Sequence, residues 1–181
     1  TTLPGNTIVV GSGTYVEDLT INKSIILQGS VVPESGQKPR IEGSYFNSTI
    51  KVSANFVEIS NFEIINNLYS AIMLDNVQSC QITNNSISSN LIYPTSGVDC
   101  GEGCSDILVK NNVIFHNTVG INIYKTSNIT LENNTIYGNQ ENGINIGQTA
   151  KITIAENVVK DNNWFNIFIQ NLFFFIINVS S

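Results

Sequence analysis

Short apolar alternations separated by paired asparagines run through most of this chain. "CQITNNSISSN" from Cys80, "DILVKNNVIFHN" from Asp106, "NITLENNTIYGN" from Asn128 and "KITIAENVVKDN" from Lys151 share one frame. Ile59, Ile82, Val109, Leu131 and Ile154 occupy its first slot. Asn85, Asn112, Asn134 and Asn157 follow three residues on, and Asn90, Asn117, Asn139 and Asn162 five residues after that. The period is about 22 to 27 residues, and strand-like alternation rather than a helical stripe fills each unit. A repeat of that size predicts a solenoid.

Each unit reads as two short strands and a bend. The first strand is "SAIMLDN", "SGVDCGE", "VGINIYK" or "NGINIGQ"; the second is "CQITNN", "DILVKN", "NITLEN" or "KITIAEN". A third apolar position follows the Asn step at Ile64, Ile87, Ile114, Ile136 and Val159. Alternation sends Ile72, Leu74, Val98, Cys100, Ile121, Ile123, Ile144 and Ile146 inward. It sends Met73, Asp99, Asn122 and Asn145 outward. The Asn steps read as architecture, since Asn tolerates the left-handed region and stacked amides bond along the axis. Gly97, Gly120 and Gly143, with Ala71 in the same slot, mark a second bend. The expectation is one domain over 1–181: irregular first turns in 1–47 with an insertion at 31–39, regular repeats over 48–170, and an apolar terminal segment at 171–181.

Composition narrows the functional classes. Charged residues are 12% of the chain, and Asn, with 27 copies, takes over the polar positions. A net charge of −6 and eight unclustered Lys and Arg exclude a nucleic-acid partner, which needs a basic stripe. No apolar run is long enough to span a bilayer. The opening "TTLPGNTIVV" suits a chain that has already lost a leader. Sequons begin at Asn22, Asn47, Asn84, Asn128, Asn133 and Asn178, and would carry sugar only in an exported protein.

Two sequence features resemble known proteins. "IVVGSGTYVEDLTINKSIILQGS" and the "NNxI" turns resemble the pectin-lyase-like right-handed β-helix superfamily, among them surface and periplasmic repeat proteins of archaea and bacteria of the copper-maturation type. The resemblance implies an all-β, single-stranded right-handed parallel β-helix of about seven turns. It says little of activity, because the repeat encodes the coil rather than a site.

Candidate chemistry is sparse. The superfamily's lyases imply a basic proton abstractor beside calcium-binding carboxylates, yet Arg40 is the single arginine and falls in the Pro-bearing insertion. Its hydrolases imply paired aspartates; Asp99 with Asp75 one turn away is the nearest approach. His116 reads as a solvated bend residue. One His, one Met and core-like cysteines make a poor copper set. Asp99, Glu102 and Asp106 around "DCGEGCSD" suit a calcium site at most; otherwise no cofactor is expected. Cys80 reads as core. Cys100 and Cys104 suit a loop disulfide, two free thiols or a bridge to another molecule.

The segment "LFFFIINVSS" offers Phe173, Phe174, Phe175 and Ile176 as an association surface or as a cap. The leading expectation is a non-catalytic secreted or cell-surface structural or adhesive protein that self-associates end to end into a sheath, layer or filament. The other is a carbohydrate-binding or polysaccharide-degrading module using Asp99, Asn122 and Asn145, with Tyr93 or Tyr124 as a sugar platform.

Overall fold

A computed structural model describes residues 5–44, 46–65, 68–88, 95–149 and 151–170, with the backbone of Val179–Ser180. Three parallel sheets wrap one core, and no helix occurs among the described residues. A middle turn shows the plan: Ser105–Lys110, Val113–Phe115 and Val119–Tyr124 lie in sheets A, B and C respectively. Sheet A has eight strands; sheets B and C have seven each. Every strand pairs with its equivalent one turn away, in register: Ile59↔Ile82↔Val109↔Leu131↔Ile154 in sheet A, Ile64↔Ile87↔Ile114↔Ile136↔Val159 in sheet B. The parallel coil of about seven turns agrees with the sequence reading; its two-strand unit does not. The apolar position after each Asn step belongs to a strand of its own, because three residues suffice to alternate once across a parallel ladder.

Core columns follow from the register. Ile50, Ile72, Val98, Ile121 and Ile144 stack under sheet C and are all 0% exposed. Truncating one such isoleucine to alanine costs about 2–5 kcal/mol. The first turns carry the same three strands as the later ones, so the coil is already regular before residue 48. The 31–39 insertion folds back as a strap: Lys38 Nζ donates to the Asn84 carbonyl and Pro39 O accepts the Glu63 N–H. Arg40 lies beyond it, opening the strand Arg40–Glu42, and pairs with Glu42 at 2.6 Å and Glu63 at 3.8 Å.

The two residues of an Asn-Asn step have separate tasks. The first takes the left-handed conformation: φ is +65° at Asn61, +58° at Asn84, +57° at Asn111, +51° at Asn133 and +55° at Glu156. The second points inward, buried at Asn85, Asn112 and Asn134 and half-buried at Asn157. Asn112 Oδ1 accepts from the backbone N–H and Nδ2 of Asn85 at 2.9 and 3.3 Å; Asn134 Oδ1 accepts likewise from Asn112 at 3.0 and 3.0 Å; Asn157 Oδ1 from Asn134 at 2.9 and 2.9 Å. The ladder ends where Phe62 takes the slot, its N–H still donating to Asn85 Oδ1 at 2.9 Å. A second ladder joins Asn117, Asn139 and Asn162 at the next corner, after left-handed His116, Gly138 and Asp161; Asn90 lies outside the described residues. These side chains satisfy backbone groups that the sharp corner removes from the sheets.

Candidate functional site

The outer face of sheet C carries one continuous column: Thr20, Lys51, Met73, Asp99, Asn122, Asn145 and Phe168. Asn145 Nδ2 donates to Asn122 Oδ1 at 2.8 Å, and Asn122 Nδ2 donates to Asp99 Oδ1 at 2.9 Å. The three expected ligand-facing residues are therefore together. A cleft of about 160 Å³ runs beside them, walled by Thr95, Ser96, Glu141 and Asn142. Burial pushes the Asp99 carboxyl up, against hydrogen bonds from Asn122 and Ser70 that pull it down. Burial also raises Glu141. The cleft thus holds two carboxyls, each raised above its ordinary value by burial. Glu141 and its neighbours sit in the turn entering sheet C, where no repeat slot marks them in the sequence.

Asp75 is no partner for Asp99: it pairs with Lys51 at 2.8 Å. Tyr124, 42% exposed, does not line the cleft; its ring lies against Gly147 with Lys125 Nζ 5.4 Å from its centre. Tyr93 lies outside the described residues.

Asp99→Asn has a signed outcome. A carboxyl with a raised folded pKa favours the fold below its unfolded pKa and loses that advantage as pH rises through the folded value. The amide keeps the acceptor for Asn122 and carries no buried charge. The variant should melt about 1–2 °C above the parent at pH 7, with the gap closing at acid pH; thermal scans across pH check this.

A larger cleft, about 480 Å³, lies at the other end of the same face between Asp18, Phe46, Asn47, Lys51, Tyr69 and Met73. Asp18 shapes it. Its carboxylate accepts the Ser44 N–H at 2.7 Å, the Ser44 hydroxyl, and Asn47 Nδ2 at 3.2 Å. Phe46 and Tyr69 stand 80% and 50% exposed. The sequence reading named this face from Met73 onward and placed Asp18, Phe46 and Asn47 in the irregular first turns, so this cleft was not expected.

The acidic cluster does not assemble. Asp99 lies on sheet C, Glu102 pairs with Lys125 at 3.1 Å on the corner, and Asp106 accepts from Asn128 at the start of a sheet A strand. No group of three metal-ligating side chains converges among the described residues. Cys80, Cys100 and Cys104 are free buried thiols. The Cys100–Cys104 turn has one residue more than its neighbours, and the bulge of Gly101–Gly103 leaves both cysteines in inward slots, Cys100 between Leu74 and Ile123. Burial raises all three, Cys100 most. A thiol reagent should label the native chain at least about 100-fold more slowly than the denatured one, with three sites appearing on unfolding. A native disulfide would leave one.

Sequon asparagines Asn22, Asn47, Asn84 and Asn133 are exposed, and Asn128 is half-buried. Asn178 and the association candidates Phe173, Phe174, Phe175 and Ile176 lie outside the described residues. His116 is exposed, edge-on to Phe115 at 5.1 Å. No helix among the described residues is long and apolar enough to cross a membrane.

Comparison with known proteins fits this geometry. The family model "Right handed beta helix region" matches residues 48–180. The chain belongs to the right-handed β-helix family. A cell surface glycoprotein of Methanothermus fervidus is 37% identical over 93 residues, which is 50% of this chain and 14% of that protein. The match thus spans about one seventh of the relative's length. Among solved structures, full-length tailspike protein 2 of an Escherichia coli O157:H7 bacteriophage aligns over 97% of this chain and 29% of its own, with a TM-score of 0.61 and 11% identity. The enzymatically active domain of bacteriophage CBA120 tailspike protein 2 aligns over 98% and 35%, with a TM-score of 0.50 and 12% identity. At such identities these neighbours share the β-helix coil alone.

Proposed function

We propose that this β-helix is a coil segment of an exported cell-surface protein, with a structural or adhesive role and no catalysis of its own. The observation that carries this reading is the 37% identity with a cell surface glycoprotein. Two apolar surfaces support further association along the rod axis. A hollow of about 260 Å³ opens among Ile8, Val10, Tyr15, Leu19 and Leu27, and Trp164, Phe165, Ile167 and Ile169 stand exposed on the last described strand turn. A further coil, from the same protein or from a second copy, would bury both, giving a layer or filament. Antibody raised against the chain should label intact source cells, and sedimentation should show species that grow with concentration. Labelling only after permeabilisation overturns the surface role; a strict monomer at high concentration overturns self-association.

The cleft holding Asp99 and Glu141 favours a second reading, a face that binds or cleaves a glycan. A polysaccharide panel with Asp99→Asn as the control tests it: retention or turnover lost in the variant supports it, and no retained glycan removes it.

A further inference from the structure

We propose that Asn22 is the residue at which the folded chain takes an N-linked glycan. A transferase must hold the acceptor asparagine and the hydroxyl two residues on at once. The whole sequon therefore has to stand clear of the strands, in a surface turn. Asn22–Lys23–Ser24 does. It lies between the strands Leu19–Ile21 and Ile25–Gly29, with Asn22 and Lys23 exposed and Ser24 half-buried. Among the described residues the Asn22 side chain makes no hydrogen bond, so its amide is open. The Ser24 hydroxyl donates to the Phe56 carbonyl at 3.1 Å, in a contact exposed to water. The Ser24 carbonyl takes the Gly5 N–H at 2.6 Å, ahead of the first strand.

The other described sequons are tied into the coil. Asn47 donates its amide to Asp18 at 3.2 Å, and Thr49 is 0% exposed. Asn84 is exposed, but the next residue, Asn85, is locked into the buried amide ladder. Ser86 then opens the strand Ser86–Ser88, with its N–H on the Phe62 carbonyl at 2.8 Å. Asn128 lies within the strand Ser127–Glu132 and gives its amide to Asp106. Asn133 gives its amide to Asn111 at 2.7 Å, and buried Asn134 and the strand residue Thr135 follow it. Reaching any of these in the folded chain means pulling part of a turn off its neighbour; reaching Asn22 does not.

Transfer forms the bond from Asn22 Nδ2 to the sugar C1 and breaks the C1–O bond to a lipid-phosphate donor. The lipid phosphate leaves with the bonding electrons, and Nδ2 gives one proton to water. The glycan then stands on the corner between sheets C and A, directly after the edge strand of sheet C. Asn22 lines none of the three clefts described above, so they stay open. A bulky hydrated group at this corner keeps it out of any packed contact between coils, and in a layer the corner faces solvent.

The inference rests on the surface reading only in that the source cell glycosylates what it exports. Acceptor reactivity needs no export. The full chain, made without sugar in a non-glycosylating cytoplasm, is incubated in its folded form with a purified single-subunit oligosaccharyltransferase and a lipid-linked chitobiose donor. Synthetic peptides spanning each sequon form the unfolded arm. Glycopeptide mass spectrometry should find Asn22 modified at least about 10-fold faster than Asn47, Asn84, Asn128 or Asn133 in the folded chain, and the peptides should lose that preference. Asn22→Gln should abolish the folded-chain signal yet melt within about 1 °C of the parent, because its side chain holds nothing. Ser24→Thr should keep the signal and Ser24→Ala lose it. Two results overturn the assignment: Asn22 stays unmodified in the folded chain while its peptide reacts, or another sequon of the folded chain reacts as fast. A third is a chain that antibody places on the source surface without sugar at Asn22. A chain that never leaves its cell overturns the surface reading instead, and the folded-chain rates still decide which residue is the acceptor.

Discussion

Asn112→Ala should cost about 3–5 kcal/mol, a large share of the stability of a domain this size. Asn112 is 1% exposed and stands mid-ladder. Its Oδ1 accepts the Asn85 N–H at 2.9 Å, and its Nδ2 donates to the Ile82 carbonyl at 2.8 Å and the Lys110 carbonyl at 3.0 Å. Alanine removes all of these and admits no water, so buried backbone groups in two successive turns lose partners. Each orphan costs about 1–3 kcal/mol, more than the bond itself contributed. Asn133→Gly at the exposed left-handed position beside the ladder should cost under about 1 kcal/mol, because glycine meets the positive φ and the hydrogen bond lost, from Nδ2 to Asn111 Oδ1 at 2.7 Å, is exposed to water. Asn112→Asp sharpens the test. It keeps the acceptor but aims a carboxylate at the two carbonyls, so its folded pKa must rise. Its deficit should be full at neutral pH and shrink as pH falls through that raised pKa, when a proton restores one donor. Denaturant titrations at two pH values measure all three variants. A loss under about 1 kcal/mol for Asn112→Ala would mean that the ladder decorates the corner rather than holding it.

This contrast also shows what a sequence of this kind can disclose. The column Ile59, Ile82, Val109, Leu131 and Ile154 is visible because a parallel ladder makes period in sequence equal to register in space. The outward run of Asp99, Asn122 and Asn145 is visible for the same reason, since alternation fixes a residue's face without knowledge of the turns. The asparagine roles are not visible. Asn133 and Asn134 are the same residue type, and only the coil's path decides that one supplies a positive φ and the other an inward amide. The walls of both clefts are hidden for a related cause. Glu141, Phe46 and Tyr69 stand on turns between strands, whose course depends on what each turn packs against. Cys100 and Cys104 mislead through a count: three intervening residues suggest a loop to be tied, yet the extra residue bulges outward and returns both thiols to the core. Function is the least visible of all, because a shared coil carries unrelated sites.

Gly120→Ala should cost about 3 kcal/mol or more, for a reason other than backbone freedom. None of Gly97, Gly120 and Gly143 has a positive φ, so the bend conformation expected of this column is not what excludes a side chain. Space is. A Cβ on Gly120 would stand 2.4 Å from the Gly143 carbonyl oxygen and 2.7 Å from Ile136 Cγ2. That carbonyl cannot swing aside, because it accepts the Ile121 N–H at 2.9 Å in the ladder joining the two turns. Asn139 Nδ2, 3.1 Å from the same point, is fixed by the second amide ladder. The clash must therefore be relieved by parting two turns, which weakens sheet C and an Asn ladder together. In a coil where each turn contacts only its neighbours, that damage falls on one interface and should broaden the unfolding transition as well as shift it. Gly97→Ala, with its closest contacts at 2.8 Å, should cost less. Gly101→Ala, on the bulged turn with only the Leu74 carbonyl at 3.4 Å, should be neutral or stabilise by a few tenths of a kcal/mol. Urea midpoints should rank the three substitutions in that order. Equal effects at Gly120 and Gly101 would show that the turns can part without loss, and would remove close stacking as the reason for glycine in this column.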